Sequence, residues 1–62
     1  MKPLEHFTAY FIGRDGRIQR RVDFVSPDDE YAKHVAKGMV TGNAIELWQR
    51  ARMIQRFEPD RS

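Results

Sequence analysis

The tetrapeptide Arg14-Asp15-Gly16-Arg17 divides a run of alternating residues that extends from Phe7 to Val25. An Asp-Gly pair favours the two positive-φ positions of a type I′ turn, so this segment is predicted to form a β-hairpin with a two-residue loop. With Asp15 and Gly16 in the loop, Arg14 pairs with Arg17, Ile12 with Gln19, Phe11 with Arg20 and Phe7 with Phe24. One face then carries Phe7, Ala9, Phe11, Ile18, Val22 and Phe24. The other carries His6, Thr8, Tyr10, Ile12, Gln19, Arg21 and Asp23, polar except for Tyr10 and Ile12. A one-residue slip would bury His6 and Thr8, which selects the first register.

Downstream, Ser26-Pro27-Asp28-Asp29-Glu30 has the marks of a helix start: Ser26 as cap, Pro27 at the first helical position, and three carboxylates at the positive end of the helix dipole. Tyr31, Ala32, Val35, Ala36, Met39 and Val40 then recur at helical spacing, with Asp29, Lys33, His34 and Lys37 towards solvent. Gly42 is expected to end the helix as a left-handed cap. Gly38 within it costs about 1 kcal/mol relative to Ala, which implies close packing or early fraying there. Ala44–Gln49 reads as a third strand and 53–57 as a fourth, joined near Arg50-Ala51-Arg52. That turn lacks Gly, so its register, and with it the facing of Trp48, stays open. Gly13–Arg21 also echoes Gln49–Phe57 at an offset of 36 residues, through a shared Ile-Gln-Arg after each turn. The tail Glu58-Pro59-Asp60-Arg61-Ser62 is expected to fray.

The order ββαββ gives an α+β fold: a four-stranded antiparallel sheet, strand order 2-1-3-4, with one helix packed on one face. The whole chain, 1–62, is read as one small domain with an ordered core of about 5–58. One sheet face is left without a helix to cover it.

Sixty-two residues leave no room for a deep pocket, and a chain of this size buries only about 60% of its unfolded surface. A single core below ~70 residues supplies roughly 3–5 kcal/mol, so further stabilisation is expected. Disulfides are excluded because there is no Cys, and His6 and His34 stand far apart with no Cys to complete a structural zinc site. Self-association is the remaining common route. The hydrophobic fraction of 40% suffices for a packed core. No apolar run at the start suits a signal peptide and no 18 apolar residues occur together, so the chain is read as cytoplasmic, with no membrane partner. A net charge of +2 does not by itself call for nucleic acid.

In the Asp15-Gly16 hairpin, the acidic stretch Asp28-Asp29-Glu30, and Glu46-Leu47-Trp48 followed by Arg50 and Ile54, the chain resembles a group of short uncharacterised alphaproteobacterial proteins. The resemblance spans nearly the whole chain and implies a complete small protein. The group has no assigned activity, so no catalytic residue carries over.

Two binding surfaces emerge from the residues. The first is the helix-free face with Tyr10, Ile12, Arg21 and Trp48, an aromatic-plus-arginine set of the kind that recurs at binding hot spots. Its partner is a second copy, in a homodimer formed through this face or a strand edge, or another protein. The second is a phosphate-tracking surface of Arg14, Arg17, Arg20, Arg21, Arg50, Arg52 and Arg56, with Tyr10 and Trp48 available to stack on bases. The same arginines also guard strand edges against aggregation, and Asp15, Asp23 and Glu46 neutralise part of their charge. Asp28-Asp29-Glu30 serves helix-start electrostatics better than a cation, since consecutive helical residues do not converge on one point. His34 has no acid or nucleophile near it in sequence and reads as a solvent-facing helix residue. Ser26 is accounted for by capping. No Gly-rich phosphate loop, nucleophile elbow or metal-ligand cluster occurs in the sequence. The expectation is a non-enzymatic interaction or regulatory module with no catalytic, cofactor or metal residues, no cofactor and no small-molecule substrate.

Overall fold

The computed structural model of the chain describes residues 3–59. Strands β1 (Glu5–Ile12) and β2 (Ile18–Ser26) form the first hairpin, α1 (Asp29–Gly38) follows, and β3 (Ala44–Gln49) and β4 (Arg52–Phe57) form the second. All four strands make one antiparallel sheet in the order β2-β1-β3-β4, as the sequence predicts. Both β2 and β3 are antiparallel to β1 and therefore run parallel to each other, so α1 is the crossover that carries the chain from one side of β1 to the other. The expected fraying of Glu58–Ser62 falls outside the described residues from Asp60 onward.

Pairing in the first hairpin follows the predicted register from Glu5↔Ser26 to Phe11↔Arg20 and then departs from it. The Gly13 N–H donates to the Arg17 carbonyl at 2.8 Å and the Gly16 N–H to the Gly13 carbonyl at 2.9 Å. Only Gly16 among the turn residues has positive φ, +81°. This is a three-residue loop with glycine in the left-handed position, in place of the expected two-residue type I′ loop and its Arg14–Arg17 pair. The extra residue is absorbed by a bulge that sets Ile12 opposite Ile18, not Gln19. Ile18 thus leaves the core face to which alternation assigned it and is 58% exposed. The displaced Gln19 lies over Gly13, where a Cβ would meet its amide nitrogen at 2.5 Å, and its Oε1 accepts from Asn43 Nδ2 at 3.2 Å. Asn43 Nδ2 also donates to the Ile12 carbonyl, so the bulge ties this turn to the start of β3.

Two further expectations need correction at the helix ends. Asp28, not Ser26, is the N-cap: its Oδ1 accepts from the Tyr31 N–H at 2.8 Å. Ser26 is buried as the last residue of β2, and its hydroxyl donates to the Asp28 carbonyl at 2.9 Å. At the other end α1 stops at Gly38, with Met39 closing it through a bond to the Ala36 carbonyl, and Gly42 has no left-handed φ. A Cβ on Gly38 would meet nothing within 4 Å, so it marks the early end of the helix and no close packing.

The core lies between α1 and one sheet face. Ala32 and Ala36, one helical turn apart, are fully buried with Phe7, Ala9, Ile45 and Leu47. Three alanines at this junction bring helix and sheet close together. Each of the larger side chains contributes roughly 1.5–3 kcal/mol by leaving water. Phe24, Met39, Val40, Ile54 and Phe57 pack around this centre, as does Phe11, which is only half-buried and has the Arg20 guanidinium 5.5 Å above its ring. Tyr31, expected in the core, is exposed, because the helix turns the Ala32 and Ala36 side inward. No helix among the described residues is long and apolar enough to cross a membrane.

Candidate functional site

The helix-free face is a grid fixed by the pairings. Across the four strands one row reads Asp23, Thr8, Trp48, Met53 and the next Arg21, Tyr10, Glu46, Arg56. A third row sets Ile18, Ile12 and Ala44 side by side. The facing that the sequence left open is resolved by the second hairpin. Gln49 pairs with Arg52 across a two-residue loop in which Arg50 takes the left-handed φ of 56°, and a bulge at Ile54 lets Trp48 meet Met53 while Leu47 meets Gln55. Trp48 therefore stands on the helix-free face and Leu47 in the core. The two hairpins are not replicas: their loops differ in length, and their bulges, at Gln19 and Ile54, do not fall 36 residues apart.

Tyr10 and Trp48 hold the centre. Their rings meet edge to face, centroids 6.4 Å apart and planes at 81°, and both residues are half-buried. The Trp48 indole N–H donates to Glu46 Oε1 at 3.1 Å, which satisfies its one polar atom. Arg56 Nη1 donates to the other Glu46 oxygen at 3.0 Å, and its Nε to Glu58 at 2.7 Å. The Glu58 bond and then the Glu46 charge raise the Arg56 pKa above its ordinary value. On the opposite side of Tyr10, Asp23 Oδ1 accepts from the Thr8 hydroxyl at 2.8 Å and from Arg21 Nε at 3.1 Å. Those two bonds, the hydroxyl first, hold the Asp23 carboxyl below its ordinary pKa. The aromatic pair is thus flanked by a neutral Arg21–Asp23 pair on one side and by Arg56 between two carboxylates on the other. Exposed Val25, Ile18 and Met53 lie around it.

Of the residues predicted for this surface, Tyr10, Arg21 and Trp48 share the face, and Tyr10 lies directly opposite Arg21. Ile12 is a correction. It lies on this face but is 7% exposed, set between Ile18 and Ala44 of the neighbouring strands, with Arg56, Glu58 and Pro59 lining the same concavity. It supports the face without offering apolar area to a partner. Glu46, Met53 and Val25 belong to the surface and escaped the sequence reading; once Trp48 is placed, strand alternation adds the first two.

The seven arginines do not form one tract. The β1–β2 and β3–β4 turns are at opposite ends of the sheet, which separates Arg14 and Arg17 from Arg50 and Arg52. Arg20 covers Phe11 on the helix side, while Arg21 and Arg56 are on the other face. Among the described residues four of them face carboxylates: Arg17 Asp15, Arg21 Asp23, Arg52 Asp29, and Arg56 both Glu46 and Glu58. The acidic helix start disperses likewise, Asp28 capping, Asp29 meeting Arg52 and Glu30 meeting Lys33. His34 is exposed on the helix. The surface concavities described are open; one of about 720 Å³ lies at the β3–β4 turn beside Glu5, His6 and Arg52.

Comparison with protein-family models, with curated proteins and with solved structures returns no match to this chain.

Proposed function

We propose that this protein is a non-enzymatic interaction module that works as a homodimer, self-associating through its uncovered sheet surface or strand edge. The observation that carries the reading is the helix-free face. It places an aromatic pair at its centre and anchors Trp48 by a hydrogen bond to Glu46, so a partner meets a preformed surface. A core of six fully packed residues is small for a stable domain, and burial of Val25, Ile18 and Met53 against a second copy adds apolar area that the monomer lacks. The alternative, a nucleic-acid-binding protein using the hairpin arginines, has less support: the guanidinium groups are split between two ends and two faces, and four have carboxylate neighbours.

Amide NMR spectra recorded over a dilution series test the reading. Self-association predicts shifts that move with concentration along the helix-free face or the β2 edge and stay fixed on the outer side of α1. Spectra that do not change with concentration would remove it. An oligonucleotide titration at two salt concentrations checks the alternative, since binding that falls steeply with salt would transfer the function to the arginines.

A further inference from the structure

The sheet has two edges, and they differ. β4 is six residues long and broken by the bulge at Ile54. β2 is nine residues long, contains no Pro or Gly, and keeps an unbroken register against β1 from Arg20 to Ser26. Its outer side presents a row of backbone N–H and C=O groups that no strand among the described residues meets.

Antiparallel pairing of β2 with its own copy places a two-fold axis perpendicular to the sheet, so each residue faces one from the same sheet face. Registers therefore centre on a residue. Centring on Arg21 opposes that guanidinium to its own copy, and centring on Asp23 opposes two carboxylates. Centring on Phe24 runs the strand into Pro27. Centring on Val22 sets Arg21 opposite Asp23 twice, Val22 opposite Val22 and Arg20 opposite Phe24. The pairs this register makes from Arg20 to Phe24 all fall within the part of β2 that is regular against β1.

We infer that two copies of this chain join along β2 with Val22 on the two-fold axis. The inference rests on the self-association reading and specifies its site. The two four-stranded sheets become one continuous sheet with both helices on one side. Arg21 and Asp23 are both largely exposed in the single chain, 3.1 Å apart, and each gains the partner's opposite charge across the new edge. On the helix side, half-buried Val22 and Phe24 are covered by the same residues and by Arg20 of the second copy.

Two charge variants test the register. Arg21→Asp faces Asp23 with a second carboxylate in its own homodimer, and Asp23→Arg faces Arg21 with a second guanidinium. Each is expected to weaken self-association at least about tenfold at low salt, while an equimolar mixture, in which every cross-edge pair is attractive again, returns to within a few-fold of wild type. Wild-type dimerisation that neither variant weakens, or that the mixture does not restore, would overturn the β2 register and leave self-association through the sheet face standing. A wild-type chain that is monomeric at every concentration would overturn both. Because a charge variant can fail to fold, Val22→Cys provides an independent measurement. In a chain without cysteine, the opposed Cα atoms would lie ~4.5–5.5 Å apart, and oxidation or a short bis-maleimide should yield a covalent dimer with the native circular dichroism spectrum. Cross-linking no greater than that of an Ile18→Cys control would count against the register.

Discussion

Truncating Phe7 to Ala is the most severe single test of the packing described above. Phe7 is 1% exposed, stacks on Phe24 with ring centroids 5.9 Å apart, and touches the alanine-lined junction with α1. Removing a buried Phe ring forfeits its transfer free energy and leaves a cavity, together about 3–5 kcal/mol. At roughly 0.05–0.15 kcal/mol per residue a chain of this length has ~3–9 kcal/mol in total, and a small core places it near the lower end. Phe7→Ala should therefore leave a protein substantially unfolded at 25 °C, whereas Phe7→Leu, which keeps most of the volume, should cost about 1–1.5 kcal/mol and remain folded. Phe11→Ala supplies the contrast: Phe11 is half-buried beside Arg20, and its truncation should cost about half as much as that of Phe7. The assay is urea unfolding followed by far-ultraviolet circular dichroism at one fixed protein concentration, since self-association makes stability concentration-dependent. A Phe7→Ala cost below ~1 kcal/mol, or one smaller than that of Phe11→Ala, would refute the placement of the core.

Asp28→Ala should destabilise by about 0.5–2 kcal/mol through loss of the helix cap, measurable in the same urea titration. Gly38→Ala, helical and with open space around its Cβ, should stabilise by up to ~1 kcal/mol, whereas Gly16→Ala, at φ +81°, should destabilise; a common sign for the two would contradict the backbone assignments. Asp23 binds its proton less readily in the folded chain than in the unfolded one, so its contribution to stability is present above the ordinary aspartate range and is lost as pH falls through the lower folded value. Thr8→Ala should move the Asp23 titration, followed by carboxyl carbon NMR, back towards the ordinary value, and an unmoved titration would show that the hydroxyl does not hold the carboxylate.

Most of the sheet was legible because its determinants are local and redundant. Asp15-Gly16 between alternating residues fixes the first hairpin, and the pairs Phe7↔Phe24 and Tyr10↔Arg21 follow from keeping His6 and Thr8 out of the core. The strand order follows from one helix joining two hairpins. What escaped depends on single residues whose chemistry permits two answers. An Asp-Gly pair suits both a two-residue loop and a three-residue loop with only the glycine left-handed, and the choice displaces Ile18 from one face to the other. Ser26 and Asp28 are equally good caps, and it is the buried end of β2 that claims Ser26. Trp48 could not be placed because the bulge at Ile54 has no mark in sequence: neither Gly nor Pro accompanies it. The burial of Ile12 depends on Ala44, a contact 32 residues away across a strand pair that alternation alone does not specify.

Self-association is the claim on which the functional account stands, and sedimentation equilibrium of the purified chain across a wide concentration range tests it most directly. A reversible shift from the 7.3 kDa monomer to a species of twice that mass is expected as concentration rises. A single 7.3 kDa species at every concentration, up to the solubility limit, would contradict it.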